Sequence, residues 1–150
     1  MYSRSSIILA VFALGLLCSG CCSMRDGGSS RSSTEIRQLI RDIKKNPDML
    51  HGEETPAFDE LVRIGLPCLK YGVLEMLLSE EVDTRYGADC LVWSITSAKY
   101  GFVPGRGWKT DDGEKAFREF WASMGAYSYD ATIESRKQSY KKWAEWICTK

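Results

Sequence analysis

His51 is the only imidazole in the chain, so a general-base or metal-ligand hypothesis has to start there. Nothing in the sequence completes such a site: no serine stands in a nucleophile-elbow setting, and no second histidine lies one helical turn away. Flanked by Gly52, Glu53 and Glu54, His51 reads as a surface residue of a loop. The next grouping of chemical side chains is Asp111, Asp112 and Glu114. Carboxylates of this kind bind calcium or flank a glycosidic bond, but the spacing departs from the EF-hand loop, and neighbouring residues at a helix start are poorly placed on either side of a scissile bond. They suit the positive end of a helix instead. No catalytic residue, metal site or cofactor is therefore expected, and the protein is read as a non-enzyme.

A third grouping is aromatic. Tyr100-Gly101-Phe102-Val103-Pro104-Gly105-Arg106-Gly107-Trp108 is a glycine-rich loop with three rings, and Tyr127 and Tyr129 follow in a later connection. Tyr100, Phe102, Trp108, Tyr127 and Tyr129 form a candidate binding surface on which sugar or peptide could stack. The same rings would equally close the open end of a helical stack, since aromatic side chains mainly supply buried area. Exposure separates the two: a platform needs Trp108 and its neighbours accessible and clustered, whereas a cap needs them buried.

The elements that would position these residues are helical. Ser32 and Glu35 have the spacing of a capping box, and Ile36, Leu39, Ile40 and Ile43 then make one apolar stripe, with Arg37, Arg41, Lys44 and Lys45 outside it. That helix stops before Pro47. Its basic face is either solvated or turned toward anionic headgroups. Thr55-Pro56 opens a second helix with Phe58, Leu61 and Val62 inward, and Gly65 followed by Pro67 ends it and begins a third with almost no loop. Leu66, Leu69, Val73, Met76 and Leu77 continue at helical steps. Asp83 is placed to cap a further helix that carries Ala88, Leu91, Val92 and Ile95, and Arg85 is assigned to bonding across the turn before it. Two more helices follow: one with Ala116, Phe117, Phe120, Trp121 and Met124, ending at Gly125, and one with Ile133, Tyr140, Trp143, Ala144 and Ile147 inward and Arg136, Lys137, Lys141 and Lys142 around the remainder. The sum is about six helices, no strand and one long loop.

At the front of the chain a short polar start with Arg4 precedes an apolar run from Ile7 to Leu17, which is signal-peptide anatomy. The run ends in Leu17-Cys18-Ser19-Gly20-Cys21, which resembles the lipobox of bacterial lipoproteins, with Cys18 standing where that family prefers leucine. The resemblance implies acylation of Cys21, export, and a location at the bacterial cell envelope, anchored in a membrane by lipid and facing the periplasm or exterior. Residues 1–20 are then the signal peptide, and residues 21–33, small and polar, a flexible tether. Losing Arg4 leaves 20 acids against 19 bases from a chain that starts with 20 of each, a balance that does not call for nucleic acid.

Export also bears on the six cysteines. Cys22, Cys68, Cys90 and Cys148 would remain with free thiols, without a metal-binding spacing. Cys68 and Cys90 lie on helices expected to pack as neighbours and are a candidate disulfide in an oxidising compartment; buried apolar thiols are the other reading.

The stretch from Leu61 to Thr96 resembles the HEAT-like helical repeats of bacterial envelope and cytoplasmic proteins, through the Ile64-Gly65-x-Pro67 joint, the Asp83-x-Arg85 pair, and Ala88, Leu91, Ile95 and Thr96. Residues 34–150 are accordingly expected to form a small all-α domain containing one HEAT-like hairpin and part of a second. Short helical repeats present rigid surfaces and seldom carry chemistry. The leading expectation is therefore an envelope lipoprotein that binds or scaffolds another envelope protein. The other is a peptidoglycan- or glycan-binding module that uses the aromatic C-terminal half.

Overall fold

A computed structural model of the 150-residue chain describes residues 31–44 and 55–150. Cys21, Cys22, the segment read as a signal peptide and His51 lie outside the described residues.

The first helix, α1 (Ser33–Lys44), begins where the sequence places a cap. The Ser32 N–H donates to Glu35 Oε2 at 2.8 Å while the Glu35 N–H donates to Ser32 Oγ at 3.3 Å, the reciprocal pair of a capping box. Arg31, counted above with the tether, reaches Glu60 of the next helix at 2.7 Å, so residues 31–33 belong to the folded part. In α2 (Pro56–Ile64) the Thr55 hydroxyl accepts from the Phe58 N–H at 3.2 Å. Gly65 ends that helix at φ 78°, a conformation that side chains rarely adopt.

From Leu66 onward the expectation of one smooth helix is corrected. Two short helices, α3 (Leu66–Cys68) and α4 (Leu74–Met76), flank a π-helical turn at Leu69–Val73, where Tyr71 and Gly72 leave helical geometry and Gly72 takes φ 133°. Glycine is what permits the break. Counting residues 66–76 as one kinked helix, the described residues hold six helices. The helix α5 (Val82–Ser97) takes Glu81, not Asp83, as its cap residue. Thr84 Oγ1 donates to Glu81 Oε2 at 2.9 Å, and Asp83 sits exposed in the first turn, favoured there only by the helix dipole.

A short 3₁₀ turn (Ala98–Tyr100) leads into the one departure from all-helical structure. Strands β1 (Phe102–Val103) and β2 (Gly107–Trp108) pair antiparallel, with Phe102 opposite Trp108. Pro104 and Gly105 make the tip: the Arg106 N–H bonds the Val103 carbonyl at 3.0 Å and Gly105 takes φ 72°, the pattern of a type II turn. Sequence periodicity does not register two-residue strands, so this ribbon reads as loop. Helices α6 (Asp111–Ser123) and α7 (Ile133–Cys148) are capped by the hydroxyls of Thr110 and Thr132, and Asp111, Asp112 and Glu114 occupy the first turn of α6.

One apolar core runs through these elements. Ile36, Ile40 and Ile43 from α1 meet Phe58 and Leu61, then Leu69, Val73, Met76 and Leu77, then Ala88, Leu91, Val92 and Ile95, with Trp143 and Ile147 closing it from α7. Arg136, read from the sequence as part of the exposed face of α7, is instead buried, and its Nη1 donates to the Ser79 carbonyl at 2.9 Å. Among the described residues no helix is long and apolar enough to cross a membrane.

Candidate functional site

Rings from four elements converge against this core, of which Trp143 is itself a member. Trp93 projects from α5, Phe102 and Trp108 from the ribbon, Phe117, Phe120 and Trp121 from α6, and Trp143 and Trp146 from α7. Trp93 meets Phe102 at 4.6 Å and Phe117 at 5.6 Å between centroids, Trp108 meets Phe117 at 5.2 Å, and Trp121 meets both Phe117 at 5.7 Å and Trp143 at 5.6 Å. Most pairs are edge-on or tilted, the arrangement that aligns a positive ring edge with a negative ring face. All five tryptophans of the chain belong to this network.

Close approach of backbone makes the convergence feasible. Gly113, in the first turn of α6, lies so near the 3₁₀ turn that a Cβ on it would stand 2.3 Å from the Tyr100 carbonyl oxygen. A glycine is required there by contact, not by backbone angle.

The rings leave a groove of about 300 Å³ lined by Trp93, Trp108, Phe117, Arg118, Trp121, Ala122 and Ala126. Phe117 is buried, whereas Trp93, Trp108 and Trp121 are half-buried and show one side to solvent. Arg118 is the single charged or hydrogen-bonding side chain besides the indoles; its Nε and Nη2 donate to Glu114 Oε1 one turn earlier. Ala126 forms part of the wall in a left-handed conformation, φ 45°, and its N–H bonds the Trp121 carbonyl at 3.0 Å.

The five aromatic residues singled out from the sequence do not make one surface. Tyr100, Phe102 and Trp108 join the network, Tyr100 stacking on Phe120 at 5.4 Å. Tyr127 is buried elsewhere and donates its hydroxyl proton to the Leu77 carbonyl at 2.9 Å, while Tyr129 stands edge-on to Tyr86 at 5.1 Å. Trp93, Arg118 and Ala126 line the groove and lie outside the five sequence candidates. Trp93 carried a weak signal, a large ring beside the buried stripe of α5; Arg118 and Ala126 carried none.

Tyr127 and Tyr129 belong to a second cluster, around Arg85. Arg85, buried at 8% exposure, donates from Nη1 to the Ser79 and Glu80 carbonyls at 3.0 and 2.7 Å and from Nε to the Tyr129 carbonyl at 2.6 Å. The arginine thus crosses the turn before α5, and Asp83 takes no part. One helical turn further on, Asp89 is half-buried. Burial pushes its carboxyl up to about 6, a rise that the neighbouring Tyr129 backbone opposes and Asp130 adds to. Burial likewise pushes Tyr127 up to about 12.

Cys68 and Cys90 are not bridged. The Cys68 thiol points back toward α2, donating to the Leu61 carbonyl at 3.3 Å, and burial pushes it up to about 12, so it is held as an inert thiol. Cys90 instead lies by Tyr86, whose phenol it raises through charge repulsion first and a hydrogen bond second. Among the described residues, no three histidine, cysteine, aspartate or glutamate side chains are placed to share a metal ion. Comparison with protein-family models, with curated proteins and with solved structures yields no match to this chain.

Proposed function

We propose that the chain is a binding module, held at a bacterial membrane by lipid on Cys21, whose aromatic groove takes an apolar segment of another envelope protein. The observation that carries this reading is the lining. Three tryptophans and a phenylalanine surround a groove in which Arg118 is the single charged side chain. Tryptophan and arginine are the residues that dominate protein–protein hot spots, and an aliphatic or proline side chain buried among them contributes about 1.5–3 kcal/mol. A glycan ring, in contrast, brings hydroxyls that need several polar partners in the plane of the sugar, and the wall offers few. The helices behind the groove, including the pair read as a HEAT-like hairpin, act in this proposal as a rigid support, and no catalytic role is assigned.

The test is to place a photo-crosslinking residue at Ala122, an exposed position on the groove wall, in the full chain in cells. A saturable crosslink to one envelope protein is expected, and a peptide from the crosslinked segment should bind the purified chain with affinity lowered about tenfold or more by Trp121→Ala. Absence of any saturable crosslink, together with retention on purified sacculi that depends on Trp108, would overturn the proposal in favour of a wall-binding module.

A further inference from the structure

We propose that the aromatic groove takes a proline-rich segment in the extended polyproline II conformation. This rests on the reading of the groove as the binding site for another protein and names the class of segment it accepts. The lining side chains able to hydrogen-bond are the indoles of Trp93, Trp108 and Trp121 and the guanidinium of Arg118; all of them donate and none accepts. Among the described residues the three indole N–H groups have no acceptor and, unlike that of Trp143, none is enclosed. Arg118 commits Nε and Nη2 to one oxygen of Glu114, a residue outside the lining, and leaves Nη1 unused. Backbone acceptors on the α6 side are already engaged: the Trp121 carbonyl takes the Ala126 N–H and the Ala122 carbonyl takes the Gly125 N–H, both at 3.0 Å. The groove is therefore a wall of rings whose polar side-chain groups only donate.

A segment that fills such a groove has to bring acceptors without donors. An ordinary extended peptide carries an N–H at each residue, and those turned toward the groove lose water and find no acceptor, which removes affinity. Proline has a carbonyl and no N–H, so a run of prolines meets a donating wall with nothing left unsatisfied. Polyproline II also makes no internal hydrogen bonds, so its carbonyls stay available to the indoles and to Arg118. The rings suit the same segment. Phe117 is buried, and around it Trp93 stands edge-on at 84° while Trp108 and Trp121 tilt at 39° and 37°. Indoles set at such angles leave apolar clefts between them, into which pyrrolidine rings pack. A polyproline segment is extended before it binds, so little ordering entropy opposes its capture by a groove of only about 300 Å³.

The test titrates decaproline into the full chain in lipid nanodiscs, with the indole N–H signals followed by nitrogen–proton correlation spectra. An alternating threonine–valine peptide of the same length is the comparison, because it brings an N–H at every residue. Decaproline is expected to shift the Trp93, Trp108 and Trp121 signals saturably, while Trp146, outside the lining, stays in place. The threonine–valine peptide should bind at least about fivefold more weakly. Trp108→Phe keeps a ring and removes a donor, and should weaken decaproline binding about fivefold. Arg118→Met, at an exposed position, keeps the stem and removes the guanidinium, and serves if the first variant does not fold. Absent shifts with decaproline, equal or tighter binding of the threonine–valine peptide, or unchanged affinity in the folded variants would overturn the inference. A crosslinked envelope segment that contains no proline would sink it and leave the binding reading standing. Decaproline seated in the groove of a chain that crosslinks to nothing would support it and sink the reading of an envelope-protein partner.

Discussion

Gly113→Ala separates local propensity from tertiary contact by its sign. Gly113 occupies the first turn of α6, half-buried, at an ordinary helical φ. Judged by the helix alone, alanine there should stabilise by up to about 1 kcal/mol through lower unfolded-chain entropy. The Tyr100 carbonyl oxygen, 2.3 Å from the position of the new Cβ, reverses that expectation. A Cβ practically never approaches closer than 3.0 Å, so α6 and the 3₁₀ turn must part by at least 0.7 Å, the difference between the two distances. Neither side yields easily. Tyr100 is stacked on Phe120 and Phe117 is wedged between Trp93 and Trp108, so parting the backbones loosens the ring network as a whole. Overpacking of this kind costs about 1–3 kcal/mol, and the propensity gain offsets only part of it. We expect a net loss of about 1–2 kcal/mol, a fall in Tm of about 4–8 °C for a domain of this size. Urea denaturation followed by tryptophan emission gives the free energy, and near-ultraviolet circular dichroism should weaken because every tryptophan sits in the affected network. A variant as stable as the parent, with an unchanged aromatic dichroism signal, would refute the argument that contact with Tyr100 dictates glycine at this position.

Other outcomes follow from the polar cluster and the core. Replacing Arg85 by alanine strands two carbonyls, those of Glu80 and Tyr129, while the Ser79 carbonyl keeps Arg136, and should cost about 2–4 kcal/mol in chemical denaturation; loss of under about 0.5 kcal/mol would mean that water satisfies them. Because the Asp89 carboxyl is raised in the folded chain, its contribution to stability is fully present below its ordinary value of 3.8 and is lost as pH rises through about 6. With its partial exposure discounted, stability measured at pH 5 should exceed that at pH 7 by roughly 1 kcal/mol more in the parent than in Asp89→Asn, and equal differences in the two would contradict the raised value. Cys68, buried and held as a thiol, should resist iodoacetamide in the native chain and react only on unfolding; rapid native labelling, located by peptide mapping, would show that the site opens freely.

Much of the chain's local grammar is legible without coordinates. Ser32 with Glu35, Thr55 with Pro56, and Gly65 with Pro67 start and stop helices through bonds between residues a few positions apart, so their spacing alone predicts them. The apolar stripes of α1 and α5 are equally local, because helical period places Ile36, Ile40 and Ile43, or Ala88, Leu91 and Ile95, on one side. An all-helical domain follows from that much.

What only the tertiary structure decided is which side chains meet. Tyr127 and Tyr129 look like companions of Tyr100 and Trp108 by residue type, yet after α6 the chain buries Tyr127 against the Leu77 carbonyl and sets the Tyr129 carbonyl on Arg85. Arg136 appears as one more cation on a basic face and becomes buried because the Ser79 carbonyl waits at the end of a different helix. The thiols of Cys68 and Cys90 share neighbouring elements but face different partners. The aromatic groove depends on three elements arriving at one place, and on Gly113 lacking a Cβ so that α6 can lie against the 3₁₀ turn between α5 and the ribbon. Capping and periodicity act within a few residues of chain, whereas a groove wall is fixed by packing between segments that the order of residues keeps apart.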